Sequence, residues 1–545
     1  MKIDLGQAPL LIGITGHRDI SESDSEVLRL QLDRIFKTYS ESLPDTKIYL
    51  ITGLAEGADR IAVQSALATQ NVKIIAALPM RLGQYRKDFD LASNQELDEL
   101  LAQCHFKFDV SSTIQSPRSV SEELSRDAHY QHFGRWLAKN CHVLIAAWDG
   151  KSPELVGGTA DNVYYKARLK SILASNIDEG EKEHIDQGVI LWCPTTRISD
   201  SEHPLPHVGV QVLDEFGNAV PWSKQADAVS QEINIFNRTI HRLPASNSIG
   251  KTESSALFQT CDLLASTLQK RYLTVLRVMV GFTILAVASI DAMQTTEINL
   301  FIWSLLIFVV LNFSLWGYLS KSRLKEQFQE ARYLAECSRV QTVWQSAQIK
   351  FGVADYLTSS QESSRQWIRA TLRSSWLLDK INMRTPFEFD VARNWMDEQI
   401  LYYEGSSSAE GAINRHRRRY RRLVQQATFA FAVAGVALLI DASNIFLGGN
   451  ASSDVEVFSR LAWALGLGIG ISLISYGELI GHKQLARRYS LVAKAFRRGK
   501  NNLDQASEVG SHQMAQAVIL DIGKYSLEES SSWLATQTER AIRPI

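Results

Sequence analysis

Four apolar blocks in the second half of the chain restrict its fold more than any other feature. They run Leu276–Met293, Leu300–Leu319, Ala427–Ile440 and Leu461–Ile480. A helix needs about 20 apolar residues to cross about 30 Å of hydrocarbon. The second and fourth blocks meet this directly. The first carries Arg277 near its start, and the third is cut short by Asp441. Charge placement decides in favour of all four. Lys270, Arg271 and Arg277 precede or open the first block, and Lys321, Arg323 and Lys325 follow the second. The run Arg415–Arg422 precedes the third, and Lys483, Arg487 and Arg488 follow the fourth. No Lys or Arg lies between Asp291 and Ser320, and only Arg460 lies between the third and fourth blocks. Positive charge is retained on the cytoplasmic side, so both hairpins are expected to dip outward with both termini cytoplasmic. The expected location is a membrane facing the cytoplasm, crossed several times.

The hairpins read as copies. Arg271-Tyr272 opens the first and Arg419-Tyr420 the second; Ile290-Asp291-Ala292 closes the first span and Ile440-Asp441-Ala442 the third. Arg332-Tyr333 and Arg488-Tyr489 follow the two hairpins, so the markers repeat at an offset of about 150 residues, the mark of an internal duplication. The Trp-rich stretch between the copies, with Trp344, Trp367, Trp376 and Trp395, has helical spacing. Three acidic residues are pore or membrane candidates. Asp291 and Asp441 stand at the outer ends of their spans, where an oligomer would gather them into a cation-favouring ring. The plainer reading has them capping the hairpin turns in headgroup water. Glu478 interrupts the fourth block, where an ionisable group faces a bundle interior or reaches back to the cytoplasmic interface.

The first half alternates short apolar runs with amphipathic stretches. The runs Leu10–Ile14, Ile48–Ile51, Ile74–Leu78, Val143–Ala147 and Val189–Trp192 suit buried parallel strands of a doubly wound, Rossmann-like α/β sheet. Ligands of such sheets bind beyond the carboxyl ends of the strands. After the first run come Gly16, His17 and Arg18. After the second comes Gly53-Leu54-Ala55-Glu56-Gly57-Ala58-Asp59, leading into a helix. Pro79 follows the third, and Asp149 follows the fourth, with Gly157-Gly158-Thr159 opening the next helix. Arg197 follows the fifth. Glycines let a backbone approach a phosphate, and a helix start directs unsatisfied N–H groups at it. Singly, each piece has a plain alternative: a helix cap for Gly157–Thr159, and a dipole-complementing acid for Asp59. Their joint placement at strand ends makes Gly16, His17, Arg18, Gly53, Glu56, Gly57, Asp59, Pro79, Asp149, Gly157, Gly158, Thr159 and Arg197 the expected ligand-binding set.

Other classes of protein are disfavoured. A net charge of −1 gives no global field for nucleic acid. Cys104, Cys141, Cys193, Cys261 and Cys337 are odd in number and scattered. They suggest neither a zinc site nor a disulfide framework, and a reducing compartment is expected. Residues Met1 to Ala8 lack the pattern of a secretory signal. The segment from Thr196 to Ser266, with prolines at 204 and 206 and a polar run near Ser246 to Ser255, yields no chemical role.

Thr15-Gly16-His17-Arg18, the stretch Gly53 to Ala62 and the late Gly157-Gly158-Thr159 resemble the SLOG superfamily, Rossmann-like domains similar to the DNA-processing protein DprA and the cytokinin-activating LOG enzymes. The resemblance covers about residues 8 to 200. The membrane half resembles SLATT-type effectors through Ala331–Trp344, Tyr356-Leu357, Trp367-Ile368-Arg369, Trp395 and Tyr402-Tyr403. Together these imply a bacterial conflict protein that senses a nucleotide-derived signal and perturbs the membrane. One departure bears on catalysis. LOG enzymes carry a glutamate three residues after the threonine of their Gly-Gly-x-Gly-Thr loop. Here that position is Asn162, beside Asp161, and the loop is shorter before Thr159. Loss of that carboxylate removes the acid or base and favours binding over turnover. Glu56, Asp59 and Asp161 remain candidates for a replacement.

The expected organisation is a nucleotide-binding domain at 1–245, a linker at 246–268, a transmembrane hairpin at 269–322, a cytoplasmic helical region at 323–418, a second hairpin at 419–483 and a helical tail at 484–545. The expected partners are the lipid bilayer, a nucleotide or nucleotide-derived second messenger, and further copies of the chain, without nucleic acid or metal. The main alternative is a membrane-anchored nucleotide or dinucleotide hydrolase. A single span would suffice as its anchor. A nucleotide-regulated transporter is the third reading, disfavoured by the scarcity of polar groups inside the spans.

Overall fold

In the computed structural model, the described residues are 6–113, 125–153, 157–167, 188–200, 205–206, 208–214, 216–243, 252–296, 300–357, 366–382, 387–446 and 453–539. Pro204 and the polar run from Ser246 to Lys251 lie outside them, as does the side chain of Asp291. The chain divides into two compact units. One comprises Met1–Thr260, Cys337–Thr342 and Lys350–Thr385, and the other Cys261–Glu336, Val343–Ile349 and Pro386–Ile545.

The first unit is built on an eight-stranded sheet in the order β4-β3-β2-β1-β5-β6-β7-β8. Its strands are β1 (Leu10–Gly16), β2 (Ile48–Thr52), β3 (Val72–Leu78), β4 (Phe106–Asp109), β5 (Val143–Trp148), β6 (Val189–Pro194), β7 (Gln211–Leu213) and β8 (Ala219–Pro221). The five apolar runs become β1, β2, β3, β5 and β6, and β2 and β5 are buried at every residue. Burial on both faces requires helices on both, so unbroken apolar runs and a parallel sheet go together. The pairs from β4 through β6 are parallel, whereas β6–β7 and β7–β8 are antiparallel. The sheet is therefore mixed, where the sequence suggested parallel strands throughout. The chain lays β1 to β4 outward on one side, then returns to place β5 and β6 on the other. The carboxyl ends of β1 and β5 thus flank the point where the strand order reverses.

Four of the helices of this unit start on side-chain caps. Ser21 caps α1 (Glu22–Ser42), α2 runs Ala58–Ala68 and the short α3 Leu82–Tyr85. Asp90 caps α4 (Leu91–Gln103) and Ser125 caps α5 (Arg126–Asn140). Helix α6 spans Thr159–Lys166, and α7 (Ala228–His241) starts on Asp227. Each capping oxygen accepts one of the helix-start N–H groups that have no partner within the helix. Asn237 of α7 holds Ala8 through two hydrogen bonds of 2.8 Å, fixing the lead into β1. Asp227 takes the imidazole of buried His142 at 2.9 Å, and these groups hold its carboxyl well below the usual carboxylate range against the cost of burial.

Helix α8 (Glu253–Thr296) begins within the segment read as a linker. Its first N–H groups donate to Asp379, with Glu253 at 2.6 Å and Ser254 at 3.0 Å. Asp379 lies on α11 (Gln366–Asn382). That helix comes from the stretch read as part of one cytoplasmic helical region, but it packs on the sheet: Leu377 and Leu378 share a core with Leu11, Ile51, Ile75, Trp136 and Leu144. Ser374 donates to the Pro9 carbonyl at 3.1 Å. In the same unit Gln341, on α10 (Leu324–Ser346), reaches Ser254, Leu372 and Ser375 at 2.9–3.1 Å.

The second unit is helical among its described residues. It holds most of α8, then α9 (Leu300–Lys321), most of α10, α12 (Phe389–Glu404), α13 (Ala412–Phe446), α14 (Ser453–Ile480), α15 (His482–Glu508) and α16 (His512–Glu539). Four helical stretches, in α8, in α9, in α13 and beginning in α14, are long and apolar enough to cross a membrane. Helix α9 buries none of its residues and exposes Leu300, Ile302, Trp303, Leu306, Ile307, Val310 and Phe313. An apolar surface of that extent suits lipid rather than water.

Polar groups tie the first hairpin together. Asn312 donates to the Met279 carbonyl at 3.1 Å and to Thr283 at 3.0 Å, and Ser304 meets Ser289 at 2.8 Å. In the second hairpin small residues do this work. A Cβ at Gly466 would stand 2.6 Å from the Ala430 carbonyl oxygen, and Gly470 faces the ring of Phe431. Asp441 lies 3.7 Å from Arg460 and within 3.4 Å of Ser459, so it is engaged by its own hairpin. Glu478 is exposed near the end of α14. Gly481, with φ +69°, turns the chain from α14 into α15.

Candidate functional site

The sequence-selected residues gather at the carboxyl edge of the sheet. His17 follows β1 and is buried; its Nε2 accepts the Asp149 backbone N–H at 3.1 Å. An acceptor Nε2 requires that nitrogen to be unprotonated. Burial, and then the nearby Arg197 guanidinium, lower the His17 pKa despite the opposing pull of Asp149. The imidazole is therefore neutral, and its 3.5 Å approach to the Asp149 carboxylate is not an ion pair. Asp149 and Asp200 share Lys151, at 3.7 and 2.5 Å.

Arg197 arrives from the end of β6. Its backbone bridges to Ile20 in antiparallel fashion, which brings it against the loop after β1. Its Nε is buried without a hydrogen-bond partner, and so is Oγ1 of Thr195, a residue 1% exposed. The Thr195 N–H itself is fixed on the Trp148 carbonyl at 3.2 Å. Two unsatisfied buried groups, two residues apart just beyond the end of β6, are costly unless a ligand or water meets them.

The two glycine-rich loops close on themselves. Asp59 folds back from the first turn of α2 to accept from Gly53 N and Thr52 Oγ1, both at 2.9 Å. Burial is the main cause that pushes its carboxyl up to about 6. Asp161 likewise folds back from α6 onto Gly157 N at 2.9 Å. Each carboxylate takes a loop N–H that a phosphate would otherwise take. Gly57, at φ +74°, lies against the preceding loop: a Cβ there would sit 2.5 Å from the carbonyl oxygens of both His17 and Arg18. The Ala58 N–H donates to that His17 carbonyl at 3.1 Å. Gly16 faces Ala58 and Ala147 equally closely. Glu56 accepts from Ser93, and Gly158 caps α6 ahead of Thr159. Pro79 directly follows β3. Asn162 is buried against Gly134, with its Nδ2 3.3 Å from Thr15 Oγ1 and its Oδ1 unpartnered.

Arg18 projects from the same edge onto aromatic rings that sequence reasoning did not select. Its Cζ lies 5.0 Å from the Tyr130 ring and 5.9 Å from the Phe89 ring, and the Arg60 Cζ lies 5.3 Å from that same Phe89 ring. Tyr130 donates to Asp88, and Tyr85 donates to the Gly53 carbonyl at 3.0 Å. Arg60 pairs with Glu96 beside a shallow cavity of about 380 Å³ that Glu56, Gly57, Asp90 and Ser93 also line. These rings come from α3, α5 and the loop before α4. Their only sequence signal was the aromatic density of His129-Tyr130-Gln131-His132-Phe133. Leu54, fully buried at φ +58°, holds the Gly53 turn in a conformation that costs a non-glycine residue about 1 kcal/mol or more.

Thus His17, Asp149, Arg197 and Thr195 form one polar centre, and Arg18 with Tyr130 and Phe89 one cationic–aromatic flank. Gly53, Gly57, Asp59, Gly157 and Asp161 shape the loops around them. No group of three or more metal-ligating side chains occurs among the described residues. All five cysteines are buried and outside any disulfide, and burial pushes the Cys193 thiol up to about 12. Compared with known protein families and with curated proteins, the chain matches none.

Proposed function

We propose that this chain is a membrane effector that binds a nucleotide-derived ligand at the carboxyl ends of β1, β5 and β6 and, when occupied, perturbs or permeabilises the bilayer. One observation carries the ligand half of this reading: the buried, unpartnered Arg197 Nε and Thr195 Oγ1 beside neutral His17, at the reversal of strand order. In a doubly wound sheet that crevice is where ligands bind. Arg197 and Arg18 supply positive charge for phosphate, while Tyr130 and Phe89 supply faces on which a base stacks. The membrane half rests on the four apolar helices, read as two outward-dipping hairpins with cytoplasmic termini and as products of one duplication. The bare face of α9 is the surface for lipid and for further copies of the chain. The SLOG and SLATT resemblances add the biological setting, bacterial antiphage defence.

The sensor reading stands ahead of the hydrolase. Asp59 and Asp161, two of the three replacement carboxylates, are occupied in closing their own loops. A ligand shifts the membrane unit only by its difference in affinity for the two states. About 3 kcal/mol of coupling changes their ratio roughly a hundredfold.

The test is titration of a nucleotide panel into the full-length protein in neutral-lipid nanodiscs, followed by chromatography of the recovered ligand. A bound nucleotide recovered intact, with affinity reduced at least tenfold by Arg197→Gln, supports the sensor. Conversion of the nucleotide would replace it with the hydrolase.

A further inference from the structure

A second cavity, in the same unit but away from the carboxyl edge, has an unusual charge balance. It measures about 340 Å³ and is lined by one face of α5, by Tyr165 of α6, by the segment Lys350–Asp355 and by one face of α11. Arg135 and Lys139 are four residues apart on α5, and Arg373 and Lys380 lie seven apart on α11, so each pair shares a helix face. With Lys350 these make five cations, and Asp355 is the one acid among the described residues of the lining. Asp355 is already committed to two of them, Lys139 at 2.9 Å and Arg373 at 3.2 Å. Lys139 and Arg373 in turn hold its carboxyl below the usual range against the cost of burial.

Of the remaining cations, Lys350 and Lys380 are close enough to repel one another. The Lys380 ammonium sits 4.6 Å over the ring of Trp376. Its pKa is lowered first by desolvation and then by Lys350 and Lys139, with Asp355 alone opposing. Arg135 lies 5.6 Å over the ring of Tyr165. Trp136, Trp376 and Phe351 complete the wall, and Gly352 lets the segment close on Trp376, 3.2 Å from where its Cβ would stand. A solvated basic face would spread its charges apart on a convex surface. Here the cations line a concave, aromatic-walled space that an anion can enter.

We infer that this cavity is a second ligand site, for a nucleotide whose phosphates lie among Lys350, Lys380 and Arg135 and whose base takes the place of the Lys380 ammonium on the face of Trp376. Its volume falls within the range of about 300–1,000 Å³ usual for small-molecule sites. Planar aromatic faces flanked by cations favour a base joined to phosphate over inorganic polyphosphate alone. The site is separate in residues from the strand-end centre of Arg197 and Thr195, so a nucleotide bound here would regulate rather than replace the signal read there.

The full-length protein in neutral-lipid nanodiscs is titrated with ATP and with inorganic tripolyphosphate as probes. ATP is expected to bind more tightly than tripolyphosphate. Lys350→Glu with Lys380→Glu, both at exposed positions, is expected to lower ATP affinity at least tenfold at unchanged thermal stability. Should that pair misfold, Lys350→Gln with Lys380→Gln is expected to lower it at least threefold. Trp376→Leu is expected to weaken ATP and leave tripolyphosphate unchanged, and Arg197→Gln to leave this binding event in place. Wild-type affinity in the folded Lys350/Lys380 variant overturns the site, as does binding of neither probe by wild type. Complete loss of ATP binding in Arg197→Gln assigns the binding to the strand ends and equally overturns it. Displacement of ATP by phosphatidylglycerol in the disc would replace the nucleotide with a lipid headgroup and overturn the role given to Trp376.

Discussion

The two apolar hairpins use glycine in opposite ways. Gly466 and Gly470 of α14 sit against the Ala430 backbone and the Phe431 ring, so α13 and α14 pack at a distance only small residues allow. Gly281 and Gly317 of the first hairpin meet nothing within 4 Å, and the α8–α9 pair is tied instead by Asn312 and the Ser289–Ser304 contact. The turn around Gly57 in the sheet unit uses glycine as Gly466 does, closed against backbone with no room to spare. A glycine in sequence therefore says little until its neighbours are known. The second hairpin is closed by glycines at its contact face, and the first by hydrogen bonds between side chains and backbone.

The largest effect expected is at Gly57. Alanine there meets both a positive φ and two carbonyl oxygens at 2.5 Å. It should destabilise the sheet unit by about 4 kcal/mol, strain and overpacking combined, read as loss of soluble, folded full-length protein. The next concerns Asp59, which closes the same region. Its folded pKa of about 6 lies above the ordinary 3.8, so the folded state binds the proton more tightly. Stability from this group is present below pH 4 and lost as pH rises through 6, by about 3 kcal/mol in all. Asp59→Asn escapes that loss, so the melting temperature of the variant relative to wild type should be higher at pH 7.5 than at pH 4. An unchanged difference would show that Asp59 titrates normally.

In the membrane unit, Gly466→Leu should destabilise the second hairpin by about 2 kcal/mol in detergent unfolding, through overpacking against α13. Gly281→Leu and Gly317→Leu should stay within about 0.5 kcal/mol. Equal effects in both hairpins would erase the contrast. A comparably small effect is expected at Asn312, where leucine should cost about 0.6 kcal/mol, the usual worth of a hydrogen bond between spans.

Much of the frame was legible in the sequence because it depends on local pattern. Unbroken apolar runs identified β1, β2, β3, β5 and β6, and length with charge flanks identified four membrane-length helices. Strand β4 escaped because Phe106-Lys107-Phe108-Asp109 is short and half-buried at the sheet edge, and β7 and β8 are three residues each. The docking of α11 on the sheet could not be read at all. Leu377 and Leu378 join that core from far along the chain, and nothing local marks their destination.

The site was legible in outline for the same reason. His17, Asp149 and Arg197 were found by their places after strands, but Thr195 offered no signal beyond lying at a strand end. The loop carboxylates show where pattern reading reaches its limit. Glycine turns leading into helices look alike whether an external phosphate or their own Asp59 and Asp161 meets the N–H groups.

The most direct measurement is release of a trapped dye from liposomes carrying the full-length protein, with and without the nucleotide that binds it, for wild type and Arg197→Gln. Nucleotide-dependent release in wild type, reduced in proportion to lost affinity in the variant, is the result the sensor account predicts. Saturated binding with no release, or release indifferent to nucleotide and to Arg197, would contradict it.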